Sequence, residues 1–153
     1  MTRTTLELAH TMLACIDAGD WPGVIAITHP DYVVHEPPEL PFGGDWKGQD
    51  ALTRLFPHVW SYWDNVVVNR LGILADENYF CLQLRMTMTS KLTGNRISTS
   101  LAETTRCVDG LMAEYTIHYH DTALVAREAG PPRPGAIKLA GAVKLAAAVN
   151  LEA

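Results

Sequence analysis

Residues Asn65 to His120 read NVVVNRLGILADENYFCLQLRMTMTSKLTGNRISTSLAETTRCVDGLMAEYTIHYH, four β-rich blocks at about 65–75, 79–91, 96–108 and 111–120. The breaks between them, Asp76-Glu77-Asn78, Thr93-Gly94-Asn95 and Asp109-Gly110, carry the residues that tight turns favour, so the blocks read as consecutive antiparallel hairpins. Upstream the period changes. From Thr4 to Ala18 the apolar residues Leu6, Leu8, Ala9, Met12, Leu13 and Ile16 fall mostly on one side at 3.6-residue spacing, and Gly19 with Asp20 ends the run. Trp21-Pro22 opens a short second helix through Ile27, and His29-Pro30 closes it, because a residue before proline avoids the helical region. A strand is expected over Asp31 to Glu36. Pro37 to Gly48, PPELPFGGDWKG, holds three prolines and three glycines and reads as a loop or lid without regular structure. Gln49 to Trp63 reads as a third helix, kinked or reset at Pro57. The order α, α, β, α, β, β, β, β implies an α+β domain, a curved antiparallel sheet wrapped around N-terminal helices to form a cone with an internal cavity.

The chain has 153 residues, 48% of them hydrophobic and 19% charged, which suits one globular core. The cone is assigned to residues 1–126, and 127–153 to a linker, GPPRPG at 130–135, and an Ala-rich tail. The tail repeats Lys138-Leu-Ala-Gly-Ala-Val as Lys144-Leu-Ala-Ala-Ala-Val, which fits a helix or a strand and suits packing on its own domain or on a second subunit. A net charge of -5 is the wrong sign for coating nucleic-acid phosphate, so no nucleic-acid partner is expected. With no apolar run near the roughly 18 residues of a membrane span and no secretory leader, the expectation is a cytoplasmic protein without a membrane partner. Cys15, Cys81 and Cys107 are widely spaced and odd in number, and read as reduced, buried side chains.

Candidate chemistry concentrates on strands. The last block alternates Met112, Glu114, Thr116, His118 and His120 with Leu111, Ala113, Tyr115, Ile117 and Tyr119, and only one set can line a cavity. Pattern alone sends the Leu, Tyr and Ile set inward and leaves the histidines in water. Glu36 shares a face with Tyr32 and Val34, where a carboxylate is either an acid of raised pKa or a partner for Arg85. Arg85 lies in an apolar block, either on the solvent face or inside the cavity as a binder of an oxyanion. Glu103 shares a face with Leu101 and Thr105. Asp121 suits a cap for the turn beginning at Thr122. Trp46, Phe56, Trp60, Trp63 and Tyr32 are aromatic walls or core. His118-x-His120 with His35 has the side chains of a metal site, but strand pairs of this kind arise by chance and no metal is expected. No phosphate loop, GxSxG, HExxH or dinucleotide motif occurs, so no cofactor is implied.

Several strings taken together resemble the SnoaL-like branch of the nuclear-transport-factor-two-like superfamily: Tyr32-Val-Val-His-Glu-Pro37, Leu40-Pro-Phe-Gly-Gly-Asp-Trp-Lys-Gly48, and Asp109-Gly110 opening a strand that ends Tyr119-His120-Asp121-Thr122. The resemblance spans about residues 4–126. It implies a cone with a deep pocket, in a group that includes polyketide cyclases, limonene epoxide hydrolase and ketosteroid isomerase. Position by position, it puts His118 at the acid-base position of the last strand and so turns His118 and His120 inward. Arg85-Met86-Thr87 departs from the Arg-x-Asp of the epoxide hydrolase, and Val34-His35-Glu36 departs from the family's Tyr-x-Asn. A hydrolase needing a second carboxylate is therefore disfavoured. The implied function is a small cofactor-independent acid-base enzyme acting on a hydrophobic cyclic or polyketide-like molecule, of cyclase, isomerase or dehydratase type. Its expected catalytic residues are His118, Glu36 and Arg85; Tyr32, Trp46, Phe56, Trp60, Trp63, Glu103, Thr116 and His120 are expected to bind substrate. The alternatives are a non-catalytic ligand-binding or dimerising module and a protein-interaction domain. A homodimer is expected, with Tyr115, Ile117 and Tyr119 on its interface if His118 points inward.

Overall fold

Each element starts and stops where side chains can satisfy the backbone. In the computed structural model, which describes residues 2–133, helix α1 spans Thr5–Ala18. The Thr4 hydroxyl accepts from Glu7 N at 3.2 Å while the Glu7 carboxylate accepts from Thr4 N at 2.7 Å, so two otherwise unpaired N–H groups are satisfied reciprocally. Gly19 ends the helix at φ 67°, a left-handed conformation that costs glycine nothing. Helix α2, Trp21–Ala26, begins with the Asp20 carboxylate accepting from Gly23 N at 2.9 Å. Strand β1 is Thr28–Glu36, β2 Gly44–Lys47, helix α3 Ala51–Trp60, and strands β3 to β6 are Trp63–Ala75, Tyr79–Ser90, Arg96–Val108 and Leu111–Tyr119. Helix α4, Thr122–Ala129, is capped by the Asp121 carboxylate, which accepts from Leu124 N at 2.9 Å.

One six-stranded sheet runs β2-β1-β6-β5-β4-β3. The four-block meander forms as expected, with three differences elsewhere. The Pro- and Gly-rich loop contains a strand: Gly44–Lys47 pairs antiparallel with Val33–Glu36, because its prolines all precede it and leave these four N–H groups free. Strands β1 and β6 pair parallel rather than antiparallel, which the long path through α3 and four intervening strands permits. Helix α3 is shorter than Gln49–Trp63 and runs through Pro57 to Trp60. Gln49 is diverted to donate its side-chain amide to the Thr28 carbonyl at 2.9 Å, and Trp63 instead opens β3, opposite Ser90. The tail repeat over 137–153 lies outside the described residues.

Helices α1 and α3 lie against one face of this sheet, and the core between them is built from Leu8, Met12, Leu52, Leu55, Leu82 and Met88, each at most 2% exposed. Helix α4 extends past residue 126, with Glu128 and Ala129 buried. Glu128 accepts from Thr93 and Asn95, and its carbonyl accepts from the Ser90 hydroxyl at 2.6 Å, which ties α4 to the β4–β5 turn. Cys15, Cys81 and Cys107 are unpaired; Cys107 is buried and the other two half-buried. No helix among the described residues is long and apolar enough to cross a membrane.

The outer face of the sheet carries a polar chain across four strands. Asp45 lies 2.7 Å from His35, His35 lies 2.9 Å from Glu114, and Arg106 donates to Glu114 at 3.0 Å. Partial burial pulls His35 toward its neutral form, but the hydrogen bonds and charges of Asp45 and Glu114 outweigh it and raise its pKa. A histidine raised in the folded state adds stability that is full below its unfolded value near 6.5 and disappears as pH rises through the folded value. His35→Ala should therefore lower stability by roughly 0.5–1 kcal/mol at pH 5.5 and by less at pH 8.5. Urea unfolding at both values checks this, and a deficit that grows with pH would contradict it.

Candidate active site

The pairing register decides which side chains meet. Across the sheet, Arg70 lies opposite Leu84, Leu84 opposite Leu101 and Leu101 opposite Tyr119; one step along, Leu82, Glu103 and Ile117 are aligned. Alternation puts these on the face that the helices cover. Strand β1 adds Tyr32, Val34 and Glu36, all buried, with Val34 opposite Tyr115. From the helices come Leu13, Ile16 and Asp17 of α1 and Phe56, Val59 and Trp60 of α3. With Glu36 and the sheet residues named above, these line a recess of about 90 Å³, behind which Tyr32 and Val34 are buried. A water needs only about 10–15 Å³ on this measure, so the space admits several waters or part of an organic molecule.

Two carboxyl groups face this apolar space. Glu36 is 4% exposed and its Oε2 has no hydrogen-bond partner among the described residues. Burial raises its pKa well above the carboxylate range and the nearby charge of Glu103 adds to this, while the neighbouring Tyr119 hydroxyl offsets part. For Glu103, burial again dominates and pushes the value up to about 7, against the Tyr115 hydroxyl, which donates to its Oε2, and the Arg70 charge. Tyr115 and Tyr119 keep their protons for the same reason: burial first, then the adjacent carboxylates. The Tyr32 hydroxyl, fully buried and close enough to Glu103 to feel its charge, has no hydrogen-bond partner among the described residues. Arg70 is held by Asp17 through two hydrogen bonds of 2.8 and 2.6 Å, at the border of the recess. Two carboxyl groups in one apolar site, one raised to about 7 and the other raised well above its usual range by burial and by its neighbour, have the proton affinities that base and acid roles need.

Of the residues singled out from sequence, Glu36, Glu103, Phe56 and Trp60 line the recess. Tyr32 lies buried behind it. Trp63 is 3% exposed and belongs to the core. Trp46 packs on α3, its ring 5.7 Å from His58 and its indole N–H donating to the Phe42 carbonyl at 3.0 Å, so it is not a wall of the recess. His118 and His120 are exposed and Thr116 half-buried on the outer face; Arg85 is exposed there too, opposite Ser100. The inward orientation of His118 is thus corrected: Tyr115 and Ile117 are 1% and 4% exposed and occupy the inner face of β6, and strict alternation then turns His118 outward. The condition on which Tyr115, Ile117 and Tyr119 were expected at a subunit interface, an inward His118, is therefore not met. The arginine that borders the recess is Arg70, not Arg85.

Arg70, Asp17, Tyr115 and Tyr119 were not expected in the site. For the tyrosines the signal was present in the alternation itself, which pattern reading alone sent inward. Arg70 follows two residues after Val68 on the same face, and Asp17 follows Leu13 by one helical turn; both spacings are visible in the sequence. Among the described residues, no group of three or more His, Cys, Asp or Glu side chains is arranged to hold a metal.

Comparison with known proteins gives a consistent picture. The family described as "SnoaL-like domain" matches residues 9–115. A nuclear-transport-factor-two-like protein of Burkholderia thailandensis superposes with a TM-score of 0.74 at 22% identity, over 84% of this chain and 99% of that one. A Jannaschia protein provisionally described as a SnoaL-like polyketide cyclase gives a TM-score of 0.68 at 12% identity, covering 86% and 98%. A Catenulispora acidiphila protein with a ketosteroid isomerase-like fold, seen in complex with trimethylamine, gives 0.63 at 13% identity, covering 84% and 96%. At these identities the structures share the fold with this chain. No curated protein matches the sequence.

Proposed function

The chain belongs to the SnoaL-like domain family, and since that fold hosts many chemistries, we propose from its own side chains that it is an acid-base enzyme moving a proton within an apolar, cyclic small molecule. The observation that carries this reading is the pair Glu36 and Glu103, two carboxyl groups of raised proton affinity in one apolar recess. Near neutral pH, Glu103 is poised to accept a proton from a carbon next to a carbonyl, becoming the acid as the substrate becomes an enol. Glu36, whose proton affinity burial raises well above the carboxylate range, is the donor toward the carbonyl oxygen on which negative charge develops; Arg70 and the tyrosine hydroxyls add positive potential. Returning the proton to a different carbon gives an isomerisation; attack of the enol carbon on a second carbonyl of the same molecule gives a cyclisation. The side chains themselves carry every proton in this scheme.

The test uses 2-methylcyclohexanone in D₂O, with loss of the α-proton signal followed by NMR. Exchange faster with protein than in buffer is expected, and His118→Ala should keep that rate within about twofold and the stability within about 0.5 kcal/mol, because the imidazole lies on the outer face. Binding of the ketone without accelerated exchange would favour a ligand-binding module instead. A large loss of exchange in His118→Ala would overturn the assignment of the two glutamates.

A further inference from the structure

A second recess adjoins the first. It is a groove of about 440 Å³ between α1 and the β3–β4 side of the sheet, and Leu13, Asp17, Arg70, Leu82 and Leu84 line both spaces. On its helix side His10, Ala14 and Asp17 stand at i, i+4 and i+7, one face of α1. On its sheet side Leu71 and Ile73 of β3 join Leu82 and Leu84. β3 is an edge strand, and Leu71 is 57% and Leu74 61% exposed along it. An apolar edge left in water invites a covering group. The Arg70–Asp17 pair marks the border: the Arg70 side chain is only 14% exposed, and both residues line both spaces.

We propose that the groove is the binding site for a hydrocarbon chain carried by the substrate, whose polar ring sits at Glu36 and Glu103; this rests on the acid-base reading above. Three observations select this occupant. The groove adjoins the inner recess, the two sharing five lining residues. It is about five times larger, so a molecule filling the inner space alone leaves the greater apolar volume unused. Its walls are aliphatic apart from His10 and the ion pair, which suits a chain without polar atoms beyond the border. At the border, Arg70 can hydrogen-bond the oxygen nearest the chain. The substrate class is therefore a cyclic ketone or enol with an alkyl or isoprenoid-like substituent of several carbons.

Ala14 offers a clean perturbation, because it is exposed on α1 and lines only the outer groove. Ala14→Trp should fill the groove without disturbing the core. Calorimetry with 2-methyl-, 2-butyl- and 2-octylcyclohexanone is expected to show affinity for the wild type rising roughly two- to fourfold per added methylene over the first several carbons. In Ala14→Trp the methyl compound should bind within twofold of wild type while the gain with chain length is lost. Equal chain-length dependence in the two proteins overturns the groove, and if α-proton exchange persists the acid-base reading survives it. Chain-length dependence that Ala14→Trp abolishes, with no exchange by either protein, keeps the groove and overturns the chemistry. Failure of all three ketones to bind overturns both. A wild-type mass of two chains by light scattering, falling to one in Ala14→Trp, assigns the groove to a second copy and also overturns the proposal.

Discussion

Glu103→Gln is expected to lower α-proton exchange by about 10²–10⁴-fold, the contribution that a positioned general base makes. Glutamine keeps the length and the ability to accept from the Tyr115 hydroxyl, so the loss would report the missing proton acceptor rather than a collapsed recess. The pH dependence sharpens the point. With Glu103 raised to about 7, the wild-type rate should climb as pH rises through 7 and then level off, following ionisation of the base. That limb should be absent from Glu103→Gln. Glu36→Gln should lose roughly 10²-fold, since its amide still donates a hydrogen bond but cannot deliver a proton. If the limb near 7 survives in Glu103→Gln, the base is another group and the division of roles is wrong.

The same substitution has a second large effect, on stability. A carboxyl whose folded pKa is raised favours folding fully below its unfolded value near 4.5, and that advantage is lost as pH rises through the folded value. For Glu103 the window is therefore about 4.5 to 7, and over it the wild type should lose up to about 3 kcal/mol through this group. Glu36, also raised, adds in the same direction. The lowered carboxyls, Glu7, Glu114 and Glu128, act at more acidic pH and in the opposite sense. Urea unfolding of wild type and Glu103→Gln at pH 5 and pH 8 isolates the contribution: the difference in stability between the proteins should shift by 1–3 kcal/mol in favour of the variant at the higher pH. A constant difference would mean that Glu103 titrates in the folded protein as it does in the unfolded chain. The site is thus expected to be held at a cost to the fold, as functional clusters of buried charge commonly are.

The meander was legible because hairpins are local: Asp76-Glu77-Asn78, Thr93-Gly94-Asn95 and Asp109-Gly110 name the turns, and alternating Phe80, Leu82, Leu84, Met86 and Met88 names the buried face. Strand β2 was hidden because a run dense in proline and glycine has little propensity of its own, and Asp45 and Trp46 become a strand only through β1. The parallel pairing of β1 with β6 was invisible for the same reason at longer range. At the site, Glu36 was read directly from alternation with Tyr32 and Val34. His118 shows the opposite case. Alternation with Tyr115 and Ile117 placed it outside, whereas positional resemblance to relatives placed it inside, and the burial of those two neighbours decides for alternation. Arg70 escaped notice because its role depends on Asp17, a residue 53 positions away that only the packing of α1 on the sheet brings to it.

The place of β6 sets the order in which the recess can form. Glu36 rides on β1 and Glu103 on β5, and β6 lies between those two strands in the sheet. Val34 meets its partner Tyr115 only after about 80 further residues have been made. During synthesis the hairpins of β3, β4 and β5 can form as they leave the ribosome, but β1 must wait for the last strand before it has a neighbour on that side. Such high contact order slows folding and leaves β1 exposed as an incomplete edge until late. Inserting β6 is then the step that both closes the sheet and brings the two acids into one space, so a nascent or truncated chain would lack the recess until its final strand is in place.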